Sequence, residues 1–345
     1  MHILIDDKIP YIQGFAEKIG ETTYKNGGSI TAEDTRDADV LIVRTRTHCN
    51  KELLEGSKVK FIATATIGFD HIDTAYLAKN GIEWTNCPGC NAGSVGQYIA
   101  CCLLLLEEAG KIDIKNCTVG IVGVGHVGTK VAAAVEKLGC HLLLCDPPRA
   151  EKEGTEGFVS YEEIMEKADV ITFHTPLTRD GAHPTFHLAD TDFFNHLPKC
   201  PVVINSARGE VVSNPAIKKA LAEGKIRAAI IDTWENEPAI DLELLDKVFL
   251  GTPHIAGYSA DGKACGTRMS LEAVARHFGF PSDFDIQAPA ISADFNYYPE
   301  DQHEGRSADS PLRLYNPRRD SDALKAHPDQ FEYLRGHYPL RREQW

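Results

Sequence analysis

Long apolar runs are missing from this sequence. The longest, Tyr98–Leu106, is nine residues, whereas a membrane-spanning helix needs roughly 20, so this run reads as a buried helix. Positive charge is also scarce: Lys and Arg number 36 against 50 Asp and Glu, a formal net charge of −14. No block of like charges occurs. An acidic chain repels nucleic acid and anionic membrane unless it carries a local basic patch, so neither is an expected partner. The opening Met1-His2-Ile3-Leu4-Ile5-Asp6-Asp7 lacks the basic stretch and longer apolar run of a secretory leader. Internal repeats and low-complexity stretches are absent as well. The ten cysteines are scattered, several within apolar segments where a thiol acts as a small hydrophobe. A chain of this length needs no disulfide staples, and the pattern suggests a reducing cytoplasm. Cys87-Pro88-Gly89-Cys90 is a CxxC without a second ligand pair or a thioredoxin-like context, so neither a metal nor a redox centre is expected.

What is present is an ordinary globular mixture, 43% hydrophobic and 25% charged over 345 residues, enough for about two domains and a small third. Short β-branched runs alternate with helical stretches. Strands are expected at 2–6, 39–44, 60–65, 118–123, 141–145, 169–174, 201–206, 227–232 and 248–251. Helices are expected at 73–80, 93–108, 126–138, 160–167, 214–223, 241–246 and 261–278. This alternation predicts an α/β protein with two doubly wound parallel sheets, covered on both faces because the strands are nearly continuous apolar runs. The blocks are 1–92 and 93–255, and the cleft between such blocks is the default ligand site. Residues 281–345 hold seven of the 18 prolines and no long apolar periodicity. Their aromatics (Phe295, Tyr297, Tyr298, Tyr315, Phe331, Tyr333, Tyr338, Trp345) favour packing against a partner over disorder.

Gly123-Val124-Gly125-His126-Val127-Gly128 is a GxGxxG directly after one expected strand and at the start of a helix, the context in which the motif binds a dinucleotide. The glycines allow a tight turn, close approach of the backbone to a pyrophosphate, and close packing of helix on strand. The helix start offers N–H groups to the phosphates. Asp146 closes the next strand, where a carboxylate accepts from ribose hydroxyls and repels a 2′-phosphate; this favours NAD over NADP, although Arg149 lies close by.

Three loops follow later strands: Asn205-Ser206-Ala207-Arg208-Gly209, Asp232-Thr233-Trp234-Glu235-Asn236-Glu237-Pro238, and Thr252-Pro253-His254-Ile255-Ala256-Gly257-Tyr258. In a doubly wound sheet they converge on the nicotinamide end. Oxidation of a hydroxyl to a carbonyl needs a base for the proton while hydride leaves carbon. His254 suits that task, Glu237 would orient its imidazole, and Arg208 would fork onto a substrate carboxylate.

With these motifs the sequence resembles the D-2-hydroxyacid dehydrogenase family over about residues 1–280. The resemblance implies a Rossmann-type nucleotide domain, 93–255, inserted in a flavodoxin-like substrate domain made of 1–92 and 256–280. It places Arg208, Glu237 and His254 on the family's catalytic positions. It makes Asp232 the acid that holds the nicotinamide amide, and Thr175, Gly257, Ser206 and Ala207 further cofactor contacts beside the glycine loop (His126 and Val127 included) and Asp146. Five further segments, 63–71, 88–92, 144–149, 172–177 and 254–258, resemble a branch of the family that oxidises 4-phospho-D-erythronate with NAD in vitamin B6 synthesis. That branch carries a C-terminal dimerisation segment, here 281–345, and so implies a homodimer and a small phosphorylated hydroxy acid as substrate. Thr45, Thr66 and Tyr258 match its substrate contacts. Arg44, flanking Thr45 with Arg46, would add charge for the phosphate; strand alternation would set both arginines on one face. The alternatives are another D-2-hydroxy acid, such as 3-phosphoglycerate, or an NAD-responsive binding protein without turnover.

Overall fold

A computed structural model describes residues 1–290, 310–339 and 341–343 of the chain. They form two compact units, one of residues 1–91 with 259–290 and one of residues 92–258 with the described part of the tail.

The first unit is built on five parallel strands, β1 (His2–Asp6), β2 (Glu21–Lys25), β3 (Val40–Val43), β4 (Phe61–Thr64) and β5 (Glu83–Thr85), in the order β2-β1-β3-β4-β5. This is the flavodoxin-like order. The two-residue period of the strands sorts their side chains into two cores. Ile3, Ile5 and Ile42 face Ala264, Leu271 and Val274 of the helix Ala260–Phe278. Leu4, Leu41 and Val43 face Leu53, Leu54 and Leu77. That long helix starts at Ser259, whose hydroxyl accepts from the Gly262 N–H, and stops at Gly279 in the left-handed conformation.

The second unit holds six parallel strands, β6 (Thr118–Val122), β7 (His141–Cys145), β8 (Val170–Phe173), β9 (Val202–Asn205), β10 (Ala228–Ile231) and β11 (Leu250–Gly251), in the order β11-β10-β9-β8-β6-β7. Beyond β7, the Val159 N–H donates to the Leu144 carbonyl at 2.8 Å, a single strand-like contact at that edge. The helices Ala92–Glu108 and His126–Leu138 cover one face with Val95, Ile99, Leu103, Val131 and Val135. Phe193, Phe194, Ile217 and Leu244 cover the other.

The nine expected strands are all present. β2 and β5 were not among them, since neither carries an apolar run: β2 is Glu-Thr-Thr-Tyr-Lys at a sheet edge and β5 has three residues. The described part of the tail is ordered against the second unit. Its described helices, Pro317–Ala326 and Phe331–Gly336, pack on their own chain: Leu324 and Phe331 enter one core of the second unit, and Leu312 and Tyr315 enter the other. Phe295, Tyr297, Tyr298 and Trp345 lie outside the described residues. No helix among the described residues is long and apolar enough to cross a membrane.

Candidate active site

The glycine loop leaves β6 where the chain switches from building β7 on one side to β8 on the other, the place where open α/β sheets bind ligands. Gly123 takes φ of 88°. A Cβ on Gly128 would run into the Gly123 carbonyl oxygen, so the helix can start this close to the turn only with glycine there. Around Gly125 nothing lies within 4 Å of a Cβ position, and no side chain caps the helix at that residue. The face that must admit a pyrophosphate is therefore open, with first-turn N–H groups behind it. His126 is exposed and Val127 half-buried.

Asp146 does two things at once. Its Oδ2 accepts from the Val124 N–H at 2.7 Å, which ties it to the glycine loop, and its Oδ1 accepts from the Arg149 N–H at 3.1 Å, capping the helix Pro147–Glu153. The Arg149 guanidinium pairs with Glu153 at 2.7 and 3.0 Å and donates to the Val124 carbonyl at 2.6 Å. Its charge is thus matched within the protein, which removes the sequence feature that pointed towards a 2′-phosphate. The Thr175 hydroxyl oxygen is buried with no partner among the described residues. Ser206 Oγ lies 3.5 Å from His174 Nδ1; burial pushes that imidazole down to about 3, so it stays neutral. An open glycine cradle, a carboxylate beside it and an orphaned buried hydroxyl fit a dinucleotide.

The loops after β9, β10 and β11 are laced together. Asn205 holds the first: its Nδ2 donates to the Arg208 carbonyl at 2.9 Å and its Oδ1 accepts from the Ala207 N–H at 3.1 Å. A Cβ on Gly209 would strike the Trp234 carbonyl, so only glycine lets this loop press against the next. Trp234 Nε1 donates to the Thr252 carbonyl at 2.9 Å, joining the second loop to the third. Asp232, 1% exposed, is the hub of the third. It accepts from the Thr252 hydroxyl at 2.6 Å and from the Ile255 and Ala256 N–H groups at 2.8 and 3.0 Å. Burial pushes its carboxyl up against these donors and nearby His254.

His254 is held in the left-handed region at φ of 55°, which costs a non-glycine residue about 1 kcal/mol or more. Its N–H donates to the Asp232 and Thr252 carbonyls at 2.8 and 3.0 Å. This fixes the side chain towards Glu237, with His254 Nδ1 to Glu237 Oε2 at 2.8 Å. Glu237 Oε1 accepts from the Trp234 N–H at 2.9 Å. Burial alone would raise the Glu237 carboxyl, but His254, the Trp234 N–H and Arg335 together hold it below the ordinary value. A carboxylate on Nδ1 sets that nitrogen as the one carrying hydrogen, and leaves Nε2 to exchange a proton. Arg208 is half-buried and spends one donor on the Ala207 carbonyl at 2.9 Å. Among the described residues no carboxylate pairs with it. Tyr258 follows Gly257, and its Oη accepts from Arg335 Nε at 3.2 Å.

So the second unit gathers Glu237 with His254, and laces the loop of Arg208 to theirs. Arg44, Thr45 and Thr66 belong to the first unit. Arg44 forks onto fully buried Asp6, Nε to Oδ2 at 2.9 Å and Nη2 to Oδ1 at 3.2 Å. β3 ends at Val43 and residues 44–47 turn, so strand alternation does not set Arg44 and Arg46 on one face. Thr45 is exposed. Thr66 Oγ1 donates to the Gly68 carbonyl at 2.8 Å and contacts Thr64 Oγ1 at 2.7 Å, which in turn contacts His71 Nε2 at 2.9 Å. Cys87 is buried against Ser270 Oγ at 3.3 Å, and burial pushes its thiol up to about 11. No group of His, Cys, Asp or Glu among the described residues could hold a metal ion.

Residues 106–256 match the family model for the D-isomer specific 2-hydroxyacid dehydrogenase NAD-binding domain. A crystal structure of D-lactate dehydrogenase from Aquifex aeolicus, complexed with NAD and lactic acid, superposes with a TM-score of 0.66 at 26% identity, over 81% of this chain and 96% of that one. The fold is that of the D-2-hydroxyacid dehydrogenases, and the chain is an NAD-dependent dehydrogenase of that class. Erythronate-4-phosphate dehydrogenase of Bacteroides thetaiotaomicron is 54% identical over all of this chain and 97% of its own length. The Porphyromonas gingivalis protein of the same name is 41% identical over 99% and 94%. The chain belongs to the erythronate-4-phosphate dehydrogenase family.

Proposed function

We propose that the chain oxidises 4-phospho-D-erythronate at C2 to (R)-3-hydroxy-2-oxo-4-phosphobutanoate, a step of vitamin B6 synthesis, in the cytoplasm and as a homodimer. The observation that carries the chemistry is the His254–Glu237 pair at 2.8 Å on loops laced beside a dinucleotide cradle. Full-length identity to relatives of that name carries the substrate.

Gly123, Gly125, His126, Val127, Gly128, Asp146, Thr175, Ser206, Ala207, Asp232 and Gly257 are the residues proposed to hold NAD, with Arg208 beside its nicotinamide end. When bound, the cofactor supplies the hydride acceptor. His254 Nε2 takes the proton of the C2 hydroxyl as the carbonyl forms, and Glu237 stabilises the resulting imidazolium. Arg208 pairs with the C1 carboxylate and polarises the reacting oxygen. Tyr258 is a further substrate contact. Arg44, Thr45 and Thr66 are those proposed from the first unit.

The test is to mix purified protein with 4-phospho-D-erythronate and trap the 2-oxo product with a carbonyl reagent, with and without added NAD and an oxo-acid acceptor. Product is expected, and its dependence on NAD and acceptor reports how the cofactor is reoxidised. No product in any condition, with NAD still bound, overturns the substrate and directs attention to 3-phosphoglycerate and other D-2-hydroxy acids.

A further inference from the structure

The tail brings a cation to the His254–Glu237 pair that no sequence motif announces. Arg335, on the helix Phe331–Gly336, lies half-buried with Nη1 3.8 Å from Glu237 Oε2, the oxygen that bonds His254. Its Nε donates to Tyr258 Oη at 3.2 Å, and its guanidinium sits 5.9 Å from the Tyr258 ring centroid. One rigid fork thus touches the orienting carboxylate and the proposed substrate contact together. Anchoring is local. Phe331, four residues earlier, is 1% exposed in the core, and Glu332 lies 3.9 Å from Arg335 Nη1 on the outer side.

We propose that Arg335 is a positioning residue for the oxidation. It holds Glu237 and Tyr258 in register and tempers the pull of the Glu237 carboxylate on the His254 imidazolium. The charged groups facing the pair are Asp232 and Glu237 on the anionic side and Arg335 on the cationic side, with Glu332 offsetting Arg335 from outside. A base that must shed its proton before each oxidation is helped by a cation beside its partner: the carboxylate still orients the ring but favours the protonated form less.

This rests on His254 as the base, and the two ideas fail differently. The measurement is the pH profile of kcat/KM, with NAD affinity followed by fluorescence, for wild type, Arg335→Gln, Arg335→Lys and Glu332→Gln. Arg335→Gln is expected to move the acid limb up by about half a pH unit and to lower kcat about tenfold, with NAD affinity unchanged. Arg335→Lys, which keeps the charge, is expected to restore the limb while kcat recovers only in part. Glu332→Gln, an exposed change that leaves the core alone, is expected to move the limb slightly down. An Arg335→Gln limb that coincides with wild type, or an Arg335→Lys limb displaced as far as that of Arg335→Gln, overturns the proposal. Should Arg335→Gln lose NAD binding, Glu332→Gln decides: a limb unmoved or moved up overturns it. Retained turnover in His254→Gln would instead remove the base assignment itself.

Discussion

At the scale of single residues, His254 is over-determined. Two carbonyls hold its backbone N–H in a conformation that histidine seldom adopts, and Glu237 holds its ring. A side chain fixed by its own main chain needs little substrate binding energy to align it. Replacing it by glutamine keeps size and hydrogen bonding but removes the exchangeable proton. His254→Gln is expected to cut kcat by about 100-fold to 10,000-fold while NAD affinity, read by fluorescence titration, stays within about twofold; turnover near wild type would disprove the role. Arg208 is a different kind of residue. Without a carboxylate partner among the described residues, its guanidinium keeps its charge for a ligand. Lysine there keeps the charge and loses the fork, so Arg208→Lys is expected to raise KM for the hydroxy acid more than tenfold, about 1.4 kcal/mol or more. Unchanged steady-state KM would mean that the carboxylate binds elsewhere.

At the scale of elements, the loops after β9, β10 and β11 and the tail obey different rules of legibility. The glycine loop, Asp146, and the Arg, Glu and His positions could be read because each sits directly after an apolar strand, so the fold delivers them by topology. β2 could not be read, because an edge strand of alternating exposed and half-buried polar residues has no apolar run. The helix Pro317–Ala326 could not either: of its ten residues only Pro317, Ser321 and Leu324 are buried, too few to raise a helical periodicity above the surrounding charge. Arg335 and Arg341 are less legible still, since their partners lie 77 and 244 residues away. The same helix carries a titration that can be measured. Asp320 accepts from the hydroxyls of Tyr315 and Tyr338 at 2.9 and 2.8 Å, yet burial pushes it up to about 6 from 3.8. The folded carboxyl therefore binds its proton more tightly than the unfolded one. The stability this contributes is fully present below the unfolded value and is lost as pH rises through about 6. Asp320→Asn is expected to stabilise the protein more at pH 7.5 than at pH 5 relative to wild type, by about 1.4 kcal/mol in all, because the loss accumulates between the unfolded and folded values and levels off above about 6. Denaturant curves at the two pH values check this, and an equal difference at both would show that Asp320 does not titrate there.

At the scale of the whole molecule, the second unit is completed by residues that follow its strands by a long stretch of chain. Arg341 is 1% exposed. It donates to Gln97 Oε1 at 2.9 Å, to the Ser94 carbonyl at 2.6 Å and to the Ile255 carbonyl at 3.3 Å, and it stacks 3.7 Å from the Tyr315 ring centroid. Ile255 adjoins His254, so one buried cation ties the start of the helix Ala92–Glu108 to the loop after β11. Arg341→Met fills similar volume but leaves three acceptors without their donor. At about 1 kcal/mol or more each, a loss of roughly 3 kcal/mol is expected in the unfolding free energy, and kcat should fall because the loop loosens. Stability within about 0.5 kcal/mol of wild type would show that water replaces the guanidinium at little cost.

Arg341 also has a temporal meaning. Synthesis runs from the N-terminus, so a nascent chain exposes the glycine loop, the strands and His254 long before the ribosome delivers the residue that ties Ser94 to Ile255. A polypeptide released early would carry every recognisable motif of the dehydrogenase and still lack the clasp on the loop after β11. Message truncation or C-terminal trimming would then silence the enzyme while leaving its fingerprint intact.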